Sequence, residues 1–147
     1  MAANTSPIFA LTPYAINASL AAATACTTRA PTATASLAAA NILALTDVST
    51  NGRRIDKIQV QACSSSITAT TAAQIVGIWM WDGTTAYLID EIVIAAQAPS
   101  TTSAAFQTSK TYTNLVLPAA FKLYMSTTVT TTASTTALSV QVFGGDY

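Results

Sequence analysis

The sequence is poor in charged side chains and contains no histidine. Lysine, arginine, aspartate and glutamate make up 8% of its 147 residues, and six basic and six acidic groups cancel to a formal net charge of zero. Without histidine, a histidine-based catalytic triad, a zinc site with histidine ligands and a histidine pH switch are excluded. The scarcity of lysine and arginine argues against nonspecific nucleic-acid binding, which needs clustered positive charge to displace counterions.

Glycine and proline are also scarce, at five residues each, which excludes collagen-like and glycine-rich chains. Disorder driven by high net charge is excluded because there is no net charge. No run approaches the roughly 18 apolar residues of a membrane helix. The N-terminus has neither the basic residues nor the apolar stretch of a signal peptide. We therefore expect no membrane and no nucleic acid among the partners of this chain.

The two cysteines, Cys26 and Cys63, leave two alternatives open. A disulfide between them would close a long loop and stabilise the fold by roughly 3–4 kcal/mol in the chain-entropy model. Because the sequence shows no secretory signal, we favour two small buried thiols.

Small residues take the place of the missing charges, with 30 alanines, 26 threonines and 13 serines. Soluble domains usually keep charge on their surface, which holds neighbouring molecules apart. Either threonine and serine coat this surface, or neighbouring subunits cover much of it, and both can hold.

The first 50 residues are predicted to be an extended, Ala/Thr-rich segment with one or two strands and an arm that leaves the domain. Ile8 and Phe9 lie in a short apolar stretch that follows Pro7. Residues 36–45 have helical propensity through alanine and leucine, although a strand could equally begin at Ile42. The length of the chain predicts one domain, with the arm and first strands in residues 1–50 and a β-sandwich body in residues 51–147.

From Asn51 onward, short runs of alternating apolar and polar residues lie between turn signals such as Asn51-Gly52 and Asp82-Gly83. Strands are predicted at residues 57–62, 74–81, 86–94, 112–117, 121–126 and 138–142. A loop is predicted at residues 99–111, anchored by Phe106, and an exposed strand end or loop at residues 127–136. About seven to nine strands without intervening helices predict an all-β fold, an antiparallel β-sandwich or jelly roll with an extended N-terminal arm.

The hairpin around Asp82-Gly83 is apolar on both faces. For a loop of even length, odd-numbered residues before the turn share a face with even-numbered residues after it, so Trp79 and Trp81 lie with Leu88. A bulge would change this assignment. One face can line the core, and the other needs a cover, either more of this chain or a partner subunit.

No combination of residues predicts catalysis. Asp90 and Glu91 are neighbours on a predicted strand and therefore point to opposite faces. No lysine or cysteine lies in a motif that would activate a serine or threonine hydroxyl, and no loop motif accompanies Asp82 or Asp56 that would bind calcium. We expect no enzyme, no metal and no cofactor.

Two pairs of residues are candidates for contacts with another chain. Arg53 and Arg54 begin the densest charged cluster of the sequence. The cluster is either the solvent-exposed start of a strand or a contact with a neighbouring subunit. Trp79 and Trp81 either pack in a core or interface, or form an aromatic platform for a sugar. The candidate interface residues are Ile8, Phe9, Arg53, Arg54, Trp79 and Trp81.

Five stretches in residues 50–147 carry a family resemblance: RIDKI at 54–58, WDGT at 81–84, LIDEI at 88–92, LPAAFKL at 117–123 and GGDY at 144–147. With these stretches, the chain resembles small β-sandwich structural proteins of tailed bacteriophages, of the kind that decorate or cement capsids. The resemblance implies a non-enzymatic virion component on the capsid surface, assembled in the host cytoplasm. It would be a homo-oligomer, for example a trimer, that binds the major capsid protein. The resemblance assigns no role to individual residues of this chain, because such proteins act through whole surfaces.

Two alternatives to a capsid decoration or cement protein stay open. One is a β-module of a phage tail, fibre or baseplate, which would differ in its location on the particle. The other is a carbohydrate-binding module that uses Trp79 and Trp81, which burial of both indoles in the fold would exclude.

Overall fold

The structure is a computed structural model that describes residues 12–134 and 136–147. These residues form two antiparallel sheets and one short 3-10 turn at Thr34–Ser36. The strands are β1 (Thr12–Leu20), β2 (Thr32–Ala33), β3 (Leu43–Ala44), β4 (Arg53–Ala62), β5 (Gln74–Trp81), β6 (Thr85–Ile94), β7 (Gln107–Leu117), β8 (Lys122–Thr127) and β9 (Leu138–Asp146).

The strand order is that of a jelly roll. The four-stranded sheet has the order β1-β9-β4-β7, and the five-stranded sheet has the order β2-β6-β5-β8-β3. With the two-residue β2 set aside, β5 pairs with β6, β4 with β7, β3 with β8 and β1 with β9. These nested pairs are the two arms of one long hairpin rolled into two sheets. The predicted all-β sandwich is confirmed, and the strand order favours its jelly-roll form.

The main core lies between the two sheets and is built by strand alternation. In β4, Ile58 and Val60 are fully buried, whereas Lys57 and Gln59 lie on the outer face and are half-buried. The predicted alternation after Asn51-Gly52 is therefore confirmed. The largest fully buried side chains of this core are Leu20, Ile55, Ile58, Ile78, Ile94, Leu117, Leu123, Met125 and Leu138.

The β5–β6 hairpin follows the predicted pairing only near its turn. Trp79 lies opposite Leu88, as an even loop requires. Ile89 is an extra residue in β6, because Ile78 pairs with the residue after it and Trp79 with the residue before it. Beyond this bulge, Gly77 lies opposite Glu91, so the predicted pairing is wrong there. A bulge shifts the alternation by one residue, and every side chain beyond it changes face.

Residues 12–50 are part of the sandwich. The whole length of β1 pairs with β9, and β3 pairs with β8, so residue 50 is not a boundary within the fold. The helical propensity of residues 36–45 is overridden, and Leu43–Ala44 forms the short strand β3. The prediction of an arm therefore remains only for residues 1–11. These residues, among them Ile8 and Phe9, lie outside the described residues.

The cover of the second apolar face comes from this chain. Cys26, Leu37 and Ile42 pack against Trp79 and Ala86 on the outer side of the five-stranded sheet. The segment is fixed by backbone hydrogen bonds, among them one of 2.7 Å from the amide of Cys26 to the carbonyl of Thr127. The two cysteines are free thiols, as favoured, but only Cys26 is buried and Cys63 is exposed.

Two segments are less loop-like or less exposed than their composition indicated. Strand β7 begins at Gln107, directly after the buried anchor Phe106. Thr131 lies in the segment 127–136 that was predicted to be an exposed strand end or loop, but it is buried and accepts a hydrogen bond of 2.9 Å from the amide of Ala23. Its hydroxyl also donates to the carbonyl of Leu20 at 2.5 Å. The Thr131 hydroxyl thus supplies hydrogen-bond partners to the backbone of Leu20 and Ala23.

Candidate assembly surface

The outer edges of β6 and β7 lie side by side on one flank of the sandwich. β7 is the last strand of its sheet, and β6 borders only the two-residue β2 on its outer side. Across the described chain, neither β7 nor residues 87–94 of β6 pairs with a strand on that side. We call these two edges the open flank. Unpaired edges present backbone donors and acceptors to other chains.

One carboxylate connects the two strands of the open flank. Asp90 of β6 accepts hydrogen bonds from Lys110 Nζ at 2.5 Å and from the Tyr112 hydroxyl at 2.7 Å, both in β7. Burial alone would raise the pKa of Asp90, but these two hydrogen bonds outweigh it and hold the pKa below its ordinary value. Burial and the hydrogen bond to Asp90 raise the pKa of Tyr112, which keeps its proton at neutral pH.

The two strands of the open flank carry four exposed apolar side chains. Among the described residues, seven large apolar side chains are exposed, and four of them belong to β6 or β7: Tyr87 at 42%, Ile89 at 37%, Val93 at 70% and Val116 at 48%. Strand alternation places Val93 on the outer face of the five-stranded sheet and Val116 on the outer face of the four-stranded sheet, because their neighbours along each strand are buried in the core. Apolar surface is thus exposed along both strands of the flank.

The charges of the open flank are compensated within the chain. Lys110 pairs with Asp90, and Glu91 accepts a hydrogen bond of 2.7 Å from Arg29 Nε. The flank therefore presents no excess of charge of either sign. A second chain can approach it without facing uncompensated charge.

Arg53 is a structural residue inside the fold. Its side chain is 3% exposed and binds Asp146 through Nε at 2.5 Å and through Nη2 at 3.1 Å. Its Nη1 lies 2.9 Å from Asp47 Oδ1, and its guanidinium stacks on the Tyr14 ring at 3.4 Å. Burial would lower the pKa of Arg53, but these two carboxylates raise it. All of its charge is used within the chain, so Arg53 offers nothing to an interface.

Arg54 points to the other face of β4, as alternation requires. It pairs with Asp56 at 2.8 Å, and both side chains are about half exposed. The hydrogen bond from Arg54 and its charge pairing with Asp56 raise the pKa of the guanidinium. Of the two arginines, only Arg54 is accessible to another chain.

The two tryptophans lie in different environments. Trp79 is 1% exposed, and its indole Nε1 donates to Ser126 Oγ at 2.9 Å. Trp81 is half-buried and donates to Thr34 Oγ1 at 2.9 Å. Because Trp79 is buried beneath residues 26–42, the two indoles do not form an accessible platform for a sugar. Trp79 likewise has almost no surface for an interface.

The predicted interface residues are not brought together. Arg53 and Arg54 belong to the four-stranded sheet, and Trp79 and Trp81 to the five-stranded sheet. Sequence reasoning missed the side chains of the open flank: Tyr87, Ile89, Val93 and Val116. The signal was present, since residues 86–94 are apolar on both faces and only one face can enter the core.

Residues 12–134 and 136–147 contain no group of three or more cysteine, aspartate or glutamate side chains placed to hold a metal ion. None of their helices is both long and apolar enough to span a membrane. A cleft of about 430 Å³ between residues 62–69 and residues 99–105 is lined by alanine, serine, threonine, Ile67 and Pro99, without a charged side chain.

Comparisons with protein-family models, curated proteins and solved structures found no match for this chain.

Proposed function

We propose that this chain is a structural protein of a tailed-phage virion, which decorates or cements the capsid through contacts with copies of itself and with the major capsid protein. The observation that carries the proposal is the open flank. There, two strands are unpaired on their outer side, and they carry four of the seven exposed large apolar side chains of the described residues. The proposed role is non-enzymatic and needs no cofactor.

Three further features support this proposal. The low content of charged residues suits a surface that docks against other proteins, because interface cores are depleted in charge. Jelly rolls are common in viral capsid proteins, although they also occur in lectins, so the fold is an analogy only. The resemblance of residues 50–147 to capsid decoration proteins points the same way.

Location on the particle tests the proposal directly. Gold-coupled antibodies against the purified chain are applied to phage particles from lysates of cells that produce this protein. The labelled particles are viewed by electron microscopy. Labelled heads support a decoration or cement protein. Labelled tails replace it with the alternative of a tail, fibre or baseplate module, and particles without label overturn it.

The role of the open flank is tested with one matched pair of variants. Val93→Glu places a charge on the flank, and Ile67→Glu places the same charge on a residue that is equally exposed, at 70%, outside the flank. We expect Val93→Glu to reduce binding to purified heads at least about tenfold, because a carboxylate buried in an interface costs more than 1.4 kcal/mol. Ile67→Glu leaves binding unchanged. Equal binding by both variants contradicts the use of this flank.

A further inference from the structure

We infer that Asn51 is a site of spontaneous covalent modification, at which its side-chain amide is lost as ammonia and water is the co-reactant. The site lies in the loop that joins β3 to β4, two residues before β4 begins at Arg53. The inference concerns the folded chain itself and does not depend on the proposed function.

The chemistry is an intramolecular cyclisation followed by hydrolysis. The backbone nitrogen of Gly52 loses its proton to solvent and attacks the Cγ carbon of Asn51, and the new N–Cγ bond closes a five-membered succinimide ring. The Cγ–Nδ2 bond breaks, and the nitrogen takes a proton from solvent and leaves as ammonia. Water then opens the ring at one of its two carbonyls, which yields either aspartate or isoaspartate. Because the reacting atoms belong to neighbouring residues, their effective concentration is high.

The first argument is that the fold requires glycine directly after Asn51. Gly52 has a φ of +96°, and a Cβ there would lie 2.9 Å from the backbone carbonyl oxygen of Leu117 in β7. Any residue with a side chain would be strained at this position. A side chain on the residue after an asparagine hinders attack by its backbone nitrogen, and glycine has none. The contact with β7 therefore keeps the least hindered neighbour next to Asn51.

The second argument is that the two reacting groups are not held in place. Asn51 is exposed, and neither its side-chain amide nor the backbone nitrogen of Gly52 forms a hydrogen bond within residues 12–134 and 136–147. The side chain can therefore turn toward the Gly52 nitrogen without breaking an interaction. The loop is anchored instead at the Gly52 carbonyl, which accepts hydrogen bonds from Ser49 Oγ at 2.9 Å and from the amide of Tyr147 at 3.2 Å.

The other described asparagines lack one or both of these features. Asn17, Asn41 and Asn114 are followed by alanine, isoleucine and leucine. Asn41 Nδ2 donates to the carbonyl of Ala25 at 3.0 Å, and Asn17 Oδ1 accepts a hydrogen bond of 2.5 Å from Ser139. Asn114 is exposed, as Asn51 is, so it is the internal control for the effect of the following residue.

The two products differ in their effect on the fold. Isoaspartate adds a methylene to the main chain directly before Gly52 and displaces the carbonyl that binds Ser49 and Tyr147. Aspartate leaves the main chain unchanged and adds only a charge. Either product changes the formal net charge of the chain from zero to minus one, so converted molecules separate from unconverted ones by ion exchange.

Ageing of the purified, folded chain tests the inference. The protein is incubated in mildly alkaline buffer, because loss of the amide proton favours attack, and peptides from successive samples are analysed by mass spectrometry. We expect Asn51 to gain one mass unit at least about tenfold faster than Asn114, which corresponds to an activation free energy lower by about 1.4 kcal/mol. A smaller ratio, or no conversion of Asn51, overturns the inference.

Two variants locate the reaction and its effect. Asn51→Gln keeps the amide, but attack would have to close a less favourable six-membered ring, so we expect it to form acidic species far more slowly than the native chain. Asn51→Asp carries the charge of the product with an ordinary main chain. We expect the isoaspartate form, isolated from aged native protein, to denature at a lower urea concentration than Asn51→Asp.

The possible results are distinct. If Asn51→Gln forms acidic species as fast as the native chain does, the modified residue lies elsewhere and the inference is wrong. If the isoaspartate form is as stable as Asn51→Asp, the expected loss of the Ser49 and Tyr147 contacts is wrong. Neither result bears on the location of the chain on a phage particle, which the gold label tests separately.

Discussion

Tyr112 of β7 donates a hydrogen bond of 2.7 Å to Asp90 of β6, and this bond connects the two sheets at the open flank. The second oxygen of the same carboxylate binds Lys110. The two edges therefore keep a fixed relative position. Within the described residues, no strand pairs with their outer sides at this point. A surface held in this way is preorganised for binding a partner.

The Asp90 contact makes part of the free energy of unfolding depend on pH in the acid range. Because the folded pKa of Asp90 is lowered, its contribution is complete above the ordinary aspartate pKa of about 3.9 and is lost as the pH falls through the lowered folded value. We expect Asp90→Asn to lower the free energy of unfolding by about 1–3 kcal/mol at pH 7. Urea denaturation at several pH values should show this difference disappearing in strong acid. A difference that persists there would contradict the assignment.

Arg53 and Arg54 form a matched pair for mutation. Arg53→Ala leaves Asp47 and Asp146 without their shared cation and removes the stacking on Tyr14, so we expect a loss of about 2–4 kcal/mol. Arg54→Ala breaks an exposed pair and should cost at most about 1 kcal/mol. Thermal or urea denaturation of the two variants measures the difference. Equal losses would show that Arg53 is not the structural residue described here.

Gly144 permits the close approach of β9 to β4. A Cβ at this position would lie 1.9 Å from the carbonyl oxygen of Arg54, which is backbone and cannot turn aside. We expect Gly144→Ala to destabilise the fold by about 3 kcal/mol or more. Gly77→Ala is the comparison, since its Cβ would meet the Ser126 hydroxyl at 2.7 Å and a side chain can move. Denaturation curves should therefore rank Gly144→Ala as the more damaging change.

The two indoles should differ in fluorescence. In Trp81→Phe the remaining Trp79 is 1% exposed, so its emission is expected at short wavelength and resistant to quenching by acrylamide. In Trp79→Phe the remaining Trp81 is half-buried and should be quenched more readily. Equal quenching of the two variants would mean that residues 26–42 do not cover Trp79 in solution.

The sequence predicted the central strands well because their signals are local. Residues 57–62, 74–81 and 86–94 carry alternation or apolar runs next to Asn-Gly or Asp-Gly turns, and all three lie in strands. The first half of β7 was missed because glutamine, serine and threonine are as common in loops as on a polar strand face. The bulge at Ile89 was missed because one extra residue leaves no compositional mark.

The candidate surface was predicted less well, and the arginines show why. Arg53 and Arg54 are neighbours and look equivalent in a sequence, yet strand alternation sends one inward and one outward. Which of them is buried depends on Asp146, at the far end of the chain. The open flank likewise depends on the strand order. That order places β6 near β7 and leaves most of the outer side of each strand unpaired within the described residues.

The nested pairing of the strands also determines when each part of the chain can fold. β5 and β6 are joined by a tight turn and can pair at once, whereas Thr12 of β1 meets Asp146 of β9. Pairs so distant along the chain close slowly, because the entropy of a long loop is lost before the contact forms. During synthesis, β1 leaves the ribosome before β9, so it stays without its partner strand until β9 has been made.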